Sequence, residues 1–146
     1  KEHPAVMGAM SAFLDALETP EVQAIYDGLD ETWNARRQKF NATMKAHDLP
    51  VQAENMSSVW TVFYTQPSRY NWMLQYYLRV HGLALSWVGT GRLIFSLNYS
   101  DADFEEVLRR FVLAATQMKN DGWWWHSPEL TNKHIRRSIL KETFFR

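Results

Sequence analysis

Gly91-Arg92-Leu93-Ile94-Phe95-Ser96-Leu97-Asn98-Tyr99-Ser100-Asp101-Ala102-Asp103-Phe104 carries two opposite structural signals in one short stretch. Arg92 to Ser96 reads as a short strand, because Leu, Ile and Phe suit a pleated, half-buried surface. Ser100 and Asp103 then stand close to a capping box, with two acids at the positive end of a helix dipole. Beyond them Phe104, Val107, Leu108, Phe111, Val112, Ala115 and Met118 recur three and four residues apart, the cleanest helical stripe in the chain. A strand that hands over to an amphipathic helix, in a chain with helices upstream, points to an α+β fold. Its expected form is a small antiparallel sheet of about three to four strands packed against helices.

Working outward, Pro4 suits a first helical turn. Val6, Met7, Met10, Phe13, Leu14 and Leu17 follow at helical spacing, which predicts a helix over 4–18. Thr19-Pro20-Glu21 is a second start signal. Ile25, Leu29, Trp33, Phe40 and Met44 predict one long helix over 20–47, its stripe interrupted by Arg36 and Arg37 and its end marked by Asp48-Leu49-Pro50. Strands are predicted near 51–54 and 58–64. A helix should start after Pro67-Ser68, run through Tyr70, Met73, Tyr77 and Val80, and close on Gly82. Leu83 to Trp87 reads as a further strand, joined to Arg92–Ser96 by the turn Gly89-Thr90-Gly91. The tail carries Trp123-Trp124-Trp125, Pro128 and a basic helix over about 129–142. Three segments result: a leading helix over 1–19, a small domain over 20–119, and a Trp-rich, basic extension over 120–146.

Composition narrows the function classes. Lys+Arg and Asp+Glu are both 16, so no global field draws nucleic acid or an anionic membrane. No apolar run approaches the ~20 residues of a membrane span, and the opening residues lack a signal-peptide pattern. Cysteine is absent, which excludes disulfide and thiolate chemistry and suits a cytoplasmic protein. The glycosylation triplets at Asn41, Asn55 and Asn98 read as chance. The chain opens on Lys1, as expected of a segment of a longer protein.

Few residues offer chemistry. His3, His47, His81, His126 and His134 show no i, i+4 metal spacing, so no metal site is expected. His81 reads as a helix-end residue. Gly89-Thr90-Gly91-Arg92 lacks the spacing of a phosphate loop and reads as a turn. Asp101, Asp103, Glu105 and Glu106 fall where helices take capping acids. The triple tryptophan reads as a packing element, with a sugar platform or subunit contact as alternatives. Lys133, Arg136, Arg137 and Lys141 resemble phosphate contacts, but the balanced charge argues against a nucleic-acid module. Lys39, Lys45, Lys119, Lys133 and Lys141 fall on polar helix faces or in the tail, and Lys1 at the terminus. None has the protected setting of a Schiff-base lysine. Arg92 stays open between two readings, a strand-edge charge that snorkels over apolar neighbours and a two-pronged clamp for a carboxylate.

From His3 to Met118, about four-fifths of its length, the chain resembles the C-terminal part of class III pyridoxal-phosphate-dependent aminotransferases, and within them the glutamate-1-semialdehyde aminomutase group. His3-Pro4-Ala5-Val6-Met7-Gly8-Ala9-Met10 resembles the Asn-Pro-x-x-Met-Ala-Ala segment, with His for Asn. Ser57-Ser58-Val59-Trp60-Thr61-Val62-Phe63-Tyr64 resembles the Gly-Ser-Met-Phe-Thr-Leu-Phe-Phe strand, with Ser57 for Gly. His81-Gly82-Leu83-Ala84-Leu85 resembles the Gly-Val-x-Leu segment. Arg92 to Phe104 resembles Arg-Leu-x-Pro-Pro-Leu-x-x-Thr-x-x-x-Ile, with Phe95 and Ser96 for the prolines.

The resemblance implies a C-terminal small domain of a fold-type I enzyme that moves an amino group on an amino-acid or semialdehyde substrate. It implies that Arg92 holds the substrate carboxylate, as the matching arginine does in many class III enzymes, although the aminomutase group does not generally keep it. It also implies that pyridoxal phosphate, its lysine and its pyridine-nitrogen acid belong to a preceding large domain, with the phosphate-binding threonine falling just before Lys1. No catalytic or cofactor-binding residue is then expected on this chain. The implied partners are that large domain, a homodimer mate and a small amino acid, with neither nucleic acid nor membrane. The alternatives are a non-catalytic interaction domain or a pseudo-enzyme of the same descent.

Overall fold

The hairpin at the centre of the molecule is set by alternation. In the computed structural model, which describes residues 3–84 and 91–144, β1 (Val51–Met56) pairs with β2 (Val59–Tyr64), and β2 with β3 (Arg92–Ile94), all antiparallel. Every second residue turns inward: Val51 and Ala53 on β1, Trp60 and Val62 on β2 are buried. The order β1-β2-β3 leaves β1 at one edge. That edge is covered by a side chain. Ala53 N–H donates to Asn41 Oδ1 at 2.8 Å, and Asn41 Nδ2 donates to Ala53 O at 3.0 Å, so Asn41 stands in for a missing strand.

The helices are α1 (Pro4–Leu17), α2 (Pro20–Asp27), α3 (Leu29–Ala46), α4 (Leu74–Val80, entered through a 3-10 turn at Asn71–Met73), α5 (Asp101–Asn120) and α6 (Asn132–Phe144). The expected α+β architecture is present, with three strands among the described residues. Helices α3 and α5 cover the inner sheet face. Trp33, Phe40 and Met44 come from α3, and Phe104, Leu108, Phe111 and Met118 from α5. At the middle lies Trp60, fully buried, with edge-on contacts to Trp33, Phe40 and Phe95 at ring separations of 6.1, 5.8 and 5.2 Å. Edge-on rings set positive rims against negative faces, which adds to their area burial.

Several details differ from the sequence expectation. The long helix over 20–47 is two helices, broken at Gly28, where φ is −95° and ψ 3°. Glycine's poor helix propensity makes this the cheapest place to turn. Strand β3 stops at Ile94. Leu83 and Ala84 are not strand, and the rest of that expected strand, with most of the Gly89–Gly91 turn, lies outside the described residues. Helix α1 forms where expected, yet Val6, Met7, Met10, Phe13 and Leu14 are all half exposed or more. Its main packing contact is with α2.

The tail packs as expected of its tryptophans. Trp124 is buried, and its indole N–H donates to Asn71 Oδ1 at 3.0 Å. Trp123 sits edge-on to Tyr70, 5.0 Å between rings. Trp125 is exposed. Helix α6 is tied to the body by a two-pronged ion pair between Arg69 and Glu142, Nη1 to Oε1 at 2.6 Å.

Candidate functional site

The outer sheet face is where Arg92 stands. Cross-strand register puts Glu54, Thr61 and Arg92 in one row, each directly opposite the next. Opposed residues of an antiparallel pair point to the same side. The adjoining row is Met56, Val59 and Ile94, with Met56 77% and Ile94 67% exposed. Phe63 stands two residues beyond Thr61 on the same side and is also exposed. One guanidinium thus lies beside an apolar strip on a sheet face open to solvent. Glu54 at the far end of its row is engaged by Arg37 at 3.4 Å.

Gly91 fixes where that row begins. It has φ +64°, and a Cβ there would lie 2.5 Å from Val62 O. Its carbonyl accepts from Val62 N–H at 2.7 Å. Only glycine meets both demands, so the chain comes in tight against β2 and Arg92 follows at a set position.

The other candidates take structural roles. Ser100 and Asp103 close a complete capping box: Asp103 N–H donates to Ser100 Oγ at 3.1 Å, and Ser100 N–H to Asp103 Oδ2 at 2.9 Å. The Ser100 hydroxyl and amide hold the Asp103 carboxyl below the usual range. Glu106 accepts from Arg109 and Arg110, which together pull its pKa down to about 2. Glu105 pairs with Lys39, and Asp101 with Arg36. All four acids are thereby committed to caps and ion pairs. His3 caps α1, His47 bonds to Thr43 O at 2.9 Å, and His81 ends α4 against Gln117 at 2.9 Å. Among the described residues no group of His, Cys, Asp and Glu could hold a metal ion.

Arg36 is the residue whose role sequence reading missed. It was expected to interrupt the α3 stripe, yet it lies within it and is 9% exposed. Its guanidinium lies 4.6 Å from the Trp33 ring centroid and 5.7 Å from that of Phe104. Nη2 donates to Tyr99 O and to Asp101 Oδ1, both at 2.9 Å. The available signal was spacing: Arg36 is three residues after Trp33 and four before Phe40, in phase with the core. It locks the loop after β3 onto α3.

No described lysine has the setting of one that forms an imine with pyridoxal phosphate. Lys39 is tied to Glu105, and Lys119 to Asp48 Oδ2 at 2.7 Å. Lys45, Lys133 and Lys141 point to solvent. An imine-forming lysine needs an enclosed, desolvated setting, and none of these has one.

No protein-family model matches this chain, and no curated protein matches it. Among the described residues no helix is long and apolar enough to cross a membrane.

Proposed function

We propose that this chain is the small C-terminal domain of a pyridoxal-phosphate-dependent aminotransferase or aminomutase of the class III kind. In this reading it closes over a cofactor site that a preceding large domain supplies. The observation that carries the reading is the open sheet face: a guanidinium beside an apolar strip, its position set by the turn at Gly91. Such a face serves as a lid. The apolar strip covers and dries the site, and Arg92 takes the carboxylate of an amino-acid substrate in two parallel hydrogen bonds. Inside a closed site that pairing orients the substrate, so its contribution is positional rather than chemical. The exposed apolar side of α1 fits the same reading, as the helix that leads from the large domain. The parent is proposed to be a cytoplasmic homodimer.

The test uses the parent enzyme, identified by a reading frame that continues upstream of Lys1 into a lysine-bearing cofactor domain. There Arg92→Ala is expected to raise the Michaelis constant for the amino acid by roughly 10- to 100-fold, the size of a lost charged hydrogen-bond pair. The constant for an uncharged amine should barely change. Equal effects on both substrates would remove the clamp. A frame without that cofactor domain would remove the enzyme reading. The non-catalytic interaction domain then becomes the better account, with Trp125 as the one tryptophan of the tail that is free to make a contact.

A further inference from the structure

The chain has zero formal net charge, but two stretches of it carry unpaired charge of a single sign. Asp15, Glu18, Glu21, Asp27, Asp30 and Glu31 follow one another with no Lys or Arg between them. Among the described residues none of them enters an ion pair. Ile25 and Tyr26 lie exposed in their midst. At the other end, Lys133, Arg136, Arg137 and Lys141 of α6 also make no ion pair among the described residues. The single acid of that helix, Glu142, is turned to Arg69. By contrast Arg36, Arg37, Lys39, Arg109, Arg110 and Lys119 are all neutralised by nearby carboxylates.

The outward side of α6 is also apolar along its middle. His134, Ile135 and Ser138 face a groove against Tyr70 and Trp125. At 100° per residue the opposite side is then centred on Leu140 and Phe144, with Arg136 and Arg137 to either side. Leu140 is 55% and Phe144 74% exposed.

We propose that this chain associates with a second copy of itself, with α6 of one molecule docking on the acidic 15–31 stretch of the other. Both patches combine exposed apolar residues with unpaired charge, and their signs are opposite. A second copy carries both patches, so a reciprocal two-fold pairing satisfies each twice. Zero net charge removes the long-range repulsion that would oppose it. An anionic lipid surface would satisfy α6 alone and leave the acids without a partner, so the second copy is the better occupant. The inference does not depend on the aminotransferase reading.

Sedimentation velocity of the 146-residue chain tests it, at about 20 mM and about 0.5 M salt, which takes the screening length from ~20 Å to ~4 Å. The expected result is a dimer at low salt, with a dissociation constant at least tenfold weaker at high salt. The triple variant Arg136→Glu, Arg137→Glu, Lys141→Glu should be monomeric. So should Glu18→Lys, Glu21→Lys, Asp27→Lys. Mixing the two variants should restore the dimer, because each then offers what the other lacks. A native chain that is monomeric at low salt overturns the proposal whatever the variants do. So does a dimer that neither salt nor either variant weakens, or a mixture that stays monomeric. A monomer whose α6 instead binds phosphatidylserine vesicles, with loss in the α6 variant, assigns that face to lipid and overturns it too.

Discussion

Ser57 shows what one residue costs at a tight place. It opens the two-residue turn between β1 and β2 with φ 54°, in the left-handed region that favours glycine. Its hydroxyl is buried without a hydrogen-bond partner. Both facts count against serine there. Ser57→Gly is therefore expected to stabilise the protein by about 0.5–1 kcal/mol, visible as a rise in melting temperature of about 2–4 °C. A fall in melting temperature would show that the turn depends on the serine. Arg36 makes the opposite case. It is a charge that pays its way in the core by lying over Trp33 and bonding Tyr99 O and Asp101. Arg36→Ala removes that packing and leaves Tyr99 O without its donor, a loss of about 2–3 kcal/mol. The urea midpoint measures it, and Arg36→Met should recover the packing share alone. If the Met variant is no better than Ala, the hydrogen bonds carry the whole effect.

Among the elements, the break between α2 and α3 is the feature that helical periodicity did not reveal. The apolar stripe runs through Gly28 in phase, so pattern alone predicts one helix. A Cβ at Gly28 would meet only Ala24 O, at an ordinary 3.8 Å. Gly28→Ala should thus be accommodated and raise helix propensity by about 0.8–1 kcal/mol. Thermal unfolding followed by far-ultraviolet circular dichroism should show a higher midpoint. A lower midpoint would mean that the turn at Gly28 is required by the packing of α2. The capping box at Ser100 and the close of α4 at Gly82 were both readable in advance, because each depends on residues next to one another in sequence. Gly82 has φ +82°, and Leu83 N–H reaches back to Leu78 O at 2.8 Å, as a glycine-closed helix should.

For the whole molecule, surface carboxylates link stability to pH. Lys119 holds Asp48 below the usual carboxylate range, Ser100 does the same for Asp103, and the pair Arg109 and Arg110 bring Glu106 to about 2. With folded values depressed, these groups stabilise the native state above pH ~4. That contribution is lost as pH falls toward 2, where the unfolded chain takes up the protons first. Tyr64 works at the other end. Burial pushes its pKa up to about 12, so its contribution is whole below pH ~10 and lost between 10 and 12. Melting temperatures across pH 2–12 should fall on both sides, and a flat acid limb would show that the ion pairs are screened away. The sequence by itself determined the helices α1, α4 and α5, the Gly82 close of α4 and the Ser100 capping box of α5, the β1–β2 hairpin and the α+β class, because periodicity, capping and turn chemistry act over a few neighbouring residues. It also singled out Arg92 as the one cation with two readings. Tertiary structure alone decided that Arg36 meets Tyr99 and Asp101, that Asn41 closes the β1 edge, and that Trp124 packs while Trp125 does not. It also put Arg92 in a row with Thr61 and Glu54 on an open face. Those outcomes depend on groups that meet across dozens of residues, and no local pattern in a single chain encodes which of them will meet.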